Sequence, residues 1–137
     1  MKVFFDSNAY IAEALLGAAA EQMIVATVSA RWRVYSSAYV LEEVERVLVE
    51  KLGFSPRFAR LTCDRIRRRS TLVAPPESRH TAPSDPADSP ILKAALAARA
   101  GFLVTNDKHL LALNPYEDLR VISMTAYIDL LNDERLI

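Results

Sequence analysis

A single cysteine, Cys63, is all the thiol chemistry in this chain of 137 residues. That scarcity excludes an internal disulfide framework and every zinc site built from several cysteines, and it points to a reducing compartment. Histidine is almost as rare, and His80 and His109 stand apart, so no cluster of softer metal ligands exists. Net charge is missing too: 17 Lys and Arg balance 17 Asp and Glu, which leaves no global pull on nucleic acid. No stretch approaches the ~18 apolar residues that span a bilayer. The first apolar run is cut by Asp6 before it can resemble a secretory signal, so the expected setting is the cytoplasm, with no membrane. Repeats and low-complexity tracts are absent.

What is present is apolar material, 51% of the chain, enough for a real core, and one domain over residues 1–137 is the expectation. Charge is unevenly spread. Residues 1–50 hold 4 basic and 7 acidic side chains, residues 51–80 hold 8 and 2, and residues 81–137 hold 5 and 8. The middle is therefore basic and the flanks acidic.

The run Val3-Phe4-Phe5 reads as a central buried strand that ends at once in Asp6-Ser7-Asn8. Ser7 and Asn8 suit a helix cap, and Ile11, Ala12, Leu15 and Leu16 follow at helical spacing. Residues 21–30 read as a second helix and Arg33-Val34-Tyr35-Ser36 as a second strand. After Ser37 comes an apolar helical stripe from Tyr39 to Leu52, stopped by Gly53. Ser55-Pro56 opens another helix, and Thr71-Leu72-Val73-Ala74 is a short strand. Five of the seven prolines fall in residues 75–90, read as one long loop. A helix over 91–100 stops at Gly101, Phe102-Leu103-Val104-Thr105 is a strand ending in Asn106-Asp107, and a short helix carries Leu110 and Leu111. Arg120-Val121-Ile122 is an edge strand and residues 124–131 a closing helix. Strands alternating with helices imply an α/β fold, a parallel sheet covered on both faces.

Asp6 and Asp107 occupy the same relative place, just past two apolar strands. In an open parallel sheet that edge binds ligands, and adjacent strands lie ~5 Å apart. Two further acids come from helix starts on the same edge: Glu42 or Glu43, and Asp88 before Ser89-Pro90. Four crowded carboxylates raise one another's pKa unless a cation sits among them. All-oxygen ligation suits a hard divalent ion such as Mg²⁺ or Mn²⁺, which points to metal-dependent chemistry on a phosphate.

These residues resemble a known family. Asp6-Ser7-Asn8 after an apolar strand, Ser37 with Glu43 in Leu41-Glu42-Glu43-Val44, Asp85-Pro86-Ala87-Asp88 leading into Ile91-Leu92, and the segment from Val104 to Leu111 occur in the order that marks a PIN domain. The match covers nearly the whole chain and looks closest to the VapC-like toxin ribonucleases. The resemblance implies an α/β/α sandwich with a central parallel sheet and a Mg²⁺- or Mn²⁺-dependent endoribonuclease. It transfers catalytic roles to Asp6, Glu43, Asp88 and Asp107, metal ligation to Asp6, Asp88 and Asp107, and support to Asn8 and Thr105. It further implies RNA as substrate, an antitoxin protein as partner and a homodimer or higher oligomer. Ser7 stands where the family usually has threonine, and Asn106 where it often has glycine.

Each residue also has a plainer explanation. Asp6 can simply cap a helix, and Asp88 competes with Asp85. Glu42 and Glu45 compete with Glu43, but Val40, Val44 and Val47 mark the packed side and Glu43 lies beside it. Arg65, Arg67, Arg68 and Arg69, with Arg57 and Arg60 upstream, form a solvated helix end favoured by the dipole, or a phosphate-tracking patch for RNA, or a seat for an acidic partner. Lys108, His109 and Trp32 read as surface or packing residues. Two other functions compete: a non-catalytic PIN-fold binding module, in which the acids are only caps, and a phosphatase or DNA nuclease using the same cluster.

Overall fold

Short apolar runs separated by helices of matching length should line up as parallel strands. The computed structural model, which describes residues 1–75 and 89–137, has this arrangement. Strands β1 (Lys2–Phe5), β2 (Arg33–Ser37), β3 (Thr71–Val73), β4 (Phe102–Val104) and β5 (Arg120–Ile122) form one sheet in the order β3-β2-β1-β4-β5, with every neighbouring pair parallel. Helices α1 (Ser7–Leu16), α2 (Ala18–Ser29), α3 (Ala38–Arg46), α4 (Pro56–Arg69), α5 (Pro90–Ala97) and α6 (Lys108–Leu111) lie between the strands, and α7 (Met124–Asp133) follows β5. This is the α/β/α sandwich expected from the alternation of patterns.

β1 is central because, past Lys2, it has nothing polar to show to water. Val3, Phe4 and Phe5 are fully buried, as a strand covered on both faces must be. Its register sets Phe5 beside Val104 of β4 and Phe4 beside Tyr35 of β2. The chain builds outward from β1 through β2 to β3, then crosses back to β4 on the other side. The strand order therefore reverses between β1 and β4, the crevice where open α/β sheets take their ligands. Phe5 sets its ring edge-on to Tyr10 and Tyr127, at centroid distances of 6.0 and 5.6 Å. Tyr127 also hydrogen-bonds Thr27 at 2.6 Å, joining α7 to α2.

Local signals explain most boundaries. Ser37 caps α3 by accepting from the Val40 N–H, and Ser55 caps α4 with Pro56 in the first turn. Gly17 and Gly53 take φ of +68° and +73° at the helix exits, where a side chain would be strained. Past Arg46 the α3 helix continues as a π-helical stretch, Val47–Lys51, so the apolar stripe runs on almost to Gly53 as expected. Two expectations need correction. Ser7 and Asn8 lie inside α1, and Asp6 itself is the cap, because its extended backbone lets its carboxylate accept from the Ser7 N–H. The helix expected over 91–100 runs from Pro90 to Ala97, because Arg99 adopts a left-handed φ of +54° and turns the chain out early. Of the loop expected over 75–90, residues 76–88 lie outside the described residues, and with them His80. Among the described residues no helix is long and apolar enough to cross a membrane.

Candidate active site

The site is built on the reversal between β1 and β4. The Asp6 N–H donates to the Val104 carbonyl at 3.0 Å, which pins the end of one strand to the other. Beyond that bond the two chains diverge into helices, and their first side chains meet. The Thr105 hydroxyl donates to Asp6 Oδ2 at 2.6 Å and accepts from the Asp107 N–H at 3.0 Å. Asp6 Oδ1 accepts from the Ser7 N–H at 2.7 Å. Asp6 is thus held by one short bond on each oxygen and is only 5% exposed.

Two longer contacts complete its surroundings: Ser7 Oγ at 3.2 Å from Oδ1, and Asn8 Nδ2 at 3.4 Å from Oδ2. A serine hydroxyl has one proton, and here it goes to Glu43 Oε1 at 2.6 Å. Ser7 therefore links two carboxylates, from α1's start and from α3. Burial pushes the Asp6 carboxyl above its usual range. The bonds from Thr105 and Ser7 pull the other way, and the nearby Glu43 carboxylate adds to the rise. Tyr39, one turn before Glu43, has its hydroxyl pushed up by burial and then by Glu43, with Arg46 opposing.

Asp107 is exposed and caps α6, its Oδ1 accepting from the His109 N–H at 2.8 Å. Its neighbour Asn106 accepts from the Met124 N–H at 3.1 Å and ties the start of α7 to this edge. Glu42 points elsewhere, lining an outer cavity of about 410 Å³ with Glu45, Arg46 and Val49. Asp88 and its competitor Asp85 lie outside the described residues. Of the sequence candidates, then, Asp6, Glu43, Thr105 and Asn8 are brought together, and Asp107 is placed two residues past Thr105.

The arginines divide. Arg69 makes a two-pronged contact with the buried carboxylate of Glu13, at 2.8 and 2.7 Å, and Arg65 stands 3.5 Å from the same glutamate and 3.8 Å from Glu21. Arg67 pairs with Asp64 at 3.0 Å, and Arg67 and Arg68 are exposed.

The sequence reading gives Ser7 as a helix cap and as the residue in place of the family's threonine, and misses it as the link between Asp6 and Glu43. It also passed over Tyr39 and the Asn106 strap. The i,i+4 spacing of Tyr39 and Glu43 was a signal for the first. Nothing local marks the strap.

Among the described residues no group of three or more His, Cys, Asp or Glu forms a metal-binding cluster. The donors that do converge nevertheless suit a hard divalent cation. They are oxygens, each Asp6 oxygen has only one short bond, and the buried Asn8 Oδ1 has no hydrogen-bond partner. A buried carboxylate with a second acid one hydroxyl away is also the electrostatic arrangement that a cation relieves. Compared with family models, residues 2–109 match that of the PIN domain. No curated protein and no solved structure gives a match.

Proposed function

The chain belongs to the PIN domain family, whose fold is of the nuclease type and generally metal-dependent, and from that premise we propose that it is a Mg²⁺- or Mn²⁺-dependent endoribonuclease. The observation that carries this reading is the Asp6 carboxylate, desolvated at the strand-order reversal and linked through the Ser7 hydroxyl to Glu43. Such a pair is unfavourable alone and useful around a cation.

In this reading Asp6, Asp107 and Asp88 hold the metal. A bound divalent ion supplies an acidified water and offsets charge gathering on the scissile phosphate. The chain's own part is orientation. Thr105 and the Ser7 N–H fix both Asp6 oxygens, and the Asp107 N–H bond to Thr105 sets the second acid relative to the first. Glu43, held by Ser7, is the acceptor best placed to take or orient a proton from water entering the site. Asn8 supports Asp6 with its amide. The exposed Arg67 and Arg68 offer phosphate contacts, whereas Arg65 and Arg69 are engaged with Glu13. The family resemblance extends the proposal to the toxin half of a type II toxin–antitoxin pair acting in the cytoplasm, with an antitoxin chain as partner and self-association as a homodimer or higher oligomer.

A non-catalytic module is the second reading, and one observation favours it: Asp6 and Asp107 both serve as helix caps. Cleavage decides between them. A pool of structured and unstructured RNAs is incubated with purified protein, with and without Mn²⁺ or Mg²⁺, beside Asp6→Asn. The expected outcome is metal-dependent cutting that the substitution reduces at least about 100-fold. Absence of cutting together with absence of metal binding by calorimetry overturns the nuclease reading in favour of the module. Turnover of small phosphate esters points instead to a phosphatase, and cutting of strands lacking 2′-hydroxyls to a DNA nuclease.

A further inference from the structure

An edge lined with carboxylates repels the phosphates of its own substrate, so, beside any cation and arginine contacts, those that are not coulombic gain importance there. Aromatic faces provide them, because every base has a π-face to stack and stacking is tolerant of sequence. Of the chain's tyrosines and phenylalanines and its one tryptophan, Tyr39 alone is exposed, at 40%; the rest are buried or half-buried in the core and its margins. A single exposed tyrosine is ordinary on a protein surface. Its address is not. Tyr39 lies in the first turn of α3, next to the Ser37 cap, and four residues before Glu43, on the same helix face. Glu43 is bonded to Ser7 beside Asp6, and it stands near enough to the Tyr39 hydroxyl to help push that group up. The ring is therefore open to solvent one helical turn from Glu43, on the rim of the acid pair.

We propose that Tyr39 is the platform on which a base of single-stranded RNA stacks, next to the phosphate presented to Asp6 and Glu43. The inference rests on the nuclease reading and deepens it by naming the substrate as RNA with an unstacked base at the cut. Free to turn about only two side-chain torsions, the ring loses little freedom on binding. The hydroxyl and Glu43 also influence each other, so the experiment has to separate stacking by the ring from an effect of the hydroxyl on Glu43.

Binding of an end-labelled single-stranded RNA 12-mer is measured by fluorescence anisotropy in the Asp6→Asn background with Mg²⁺, with Tyr39 intact, as Tyr39→Phe and as Tyr39→Ala. Cleavage of the same oligomer is followed with Asp6 restored. Stacking predicts that Tyr39→Ala weakens binding about tenfold or more and raises KM to match, with kcat changed little. Tyr39→Phe, which keeps the ring, loses less than about threefold in binding on the same argument. The platform is ruled out if Tyr39→Ala binds within twofold of its parent, or if Phe and Ala lose equally and the loss falls on kcat, which marks a hydroxyl that only positions Glu43. A circular-dichroism melt shows whether each variant is folded, and an exposed side chain should shift it little. If the protein binds RNA through Tyr39 but never cuts it, the nuclease reading fails and the platform stands; if it cuts equally well without the ring, the reverse holds.

Discussion

A threonine hydroxyl can donate one hydrogen bond and accept another, and Thr105 does both, giving its proton to Asp6 and taking one from the Asp107 backbone. Together with the Ser7 N–H it resists the rise that burial imposes on the Asp6 carboxyl, but burial wins and the group stays above the ordinary value near 3.8. The sign for stability follows. Folded Asp6 keeps its proton to higher pH than unfolded Asp6, so from about 3.8 upward the folded state binds more protons and its stability falls with rising pH until the folded group has ionised. Asp6→Asn has no such proton to lose. In metal-free buffer, urea melts from pH 4 to pH 7.5 should show the stability difference moving in favour of Asp6→Asn as pH rises, then levelling. A gap that stays constant across that range would mean that Asp6 ionises as freely in the fold as out of it. The acid itself was legible in the sequence as a charge at the end of an apolar strand. Its hydrogen-bond partners were only half legible, since Thr105 lies 99 residues away and the pairing depends on two strands being neighbours.

Along the elements, α1 and α4 are joined by the bidentate pair of Arg69 with Glu13, whose side chains are 15% and 5% exposed. Removing one partner of a buried pair leaves the other charge without compensation. Glu13→Ala is therefore expected to lower unfolding free energy by about 3 kcal/mol or more. Alanine at exposed Asp64, the partner of Arg67, should cost less than about 1 kcal/mol. Urea denaturation of the two variants tests the contrast, and equal costs would show that the Glu13 pair is solvated. The same elements show where sequence reading stopped. Arg65 and Arg69 are one helical turn apart and share a face while Arg67 lies nearly opposite, so that division was available from spacing; the exposure of Arg68, three residues from Arg65, was not. Nor was the partner of Arg65 and Arg69, because Glu13 is 56 residues upstream of Arg69 on a different helix. Glu43 could be chosen over Glu42 because the Val40–Val44 stripe fixes which way α3 faces. Asn106 could not be recognised as a strap, since its bond to Met124 depends on where β5 delivers α7.

At the scale of the whole molecule, the alternation of apolar runs and helical stripes specified a parallel sheet, while the order β3-β2-β1-β4-β5 had to come from three-dimensional pairing. That order brings the ends of β1 and β4 together and sets Asp6 beside Thr105, with Asp107 close behind. Burial of Asp6 there, with Glu43 nearby, places an electrostatic cost at the edge where the sheet offers a crevice. A ligand that relieves this cost binds the folded chain and not the unfolded one, so it must stabilise the whole fold by mass action. At a free metal concentration 100 times its dissociation constant the gain is about 2.7 kcal/mol, which for a domain of this size is a rise of several degrees in Tm. Mn²⁺ or Mg²⁺ should therefore raise the melting temperature in a concentration-dependent way and EDTA should reverse it. Asp6→Asn should abolish the rise even if that variant starts out the more stable in metal-free buffer. Because the two effects of Asp6 have opposite signs, a merely damaged fold cannot imitate the result. A melting curve indifferent to both ions would remove the metal from the proposal, and a rise that survives Asp6→Asn would place the ion away from this edge.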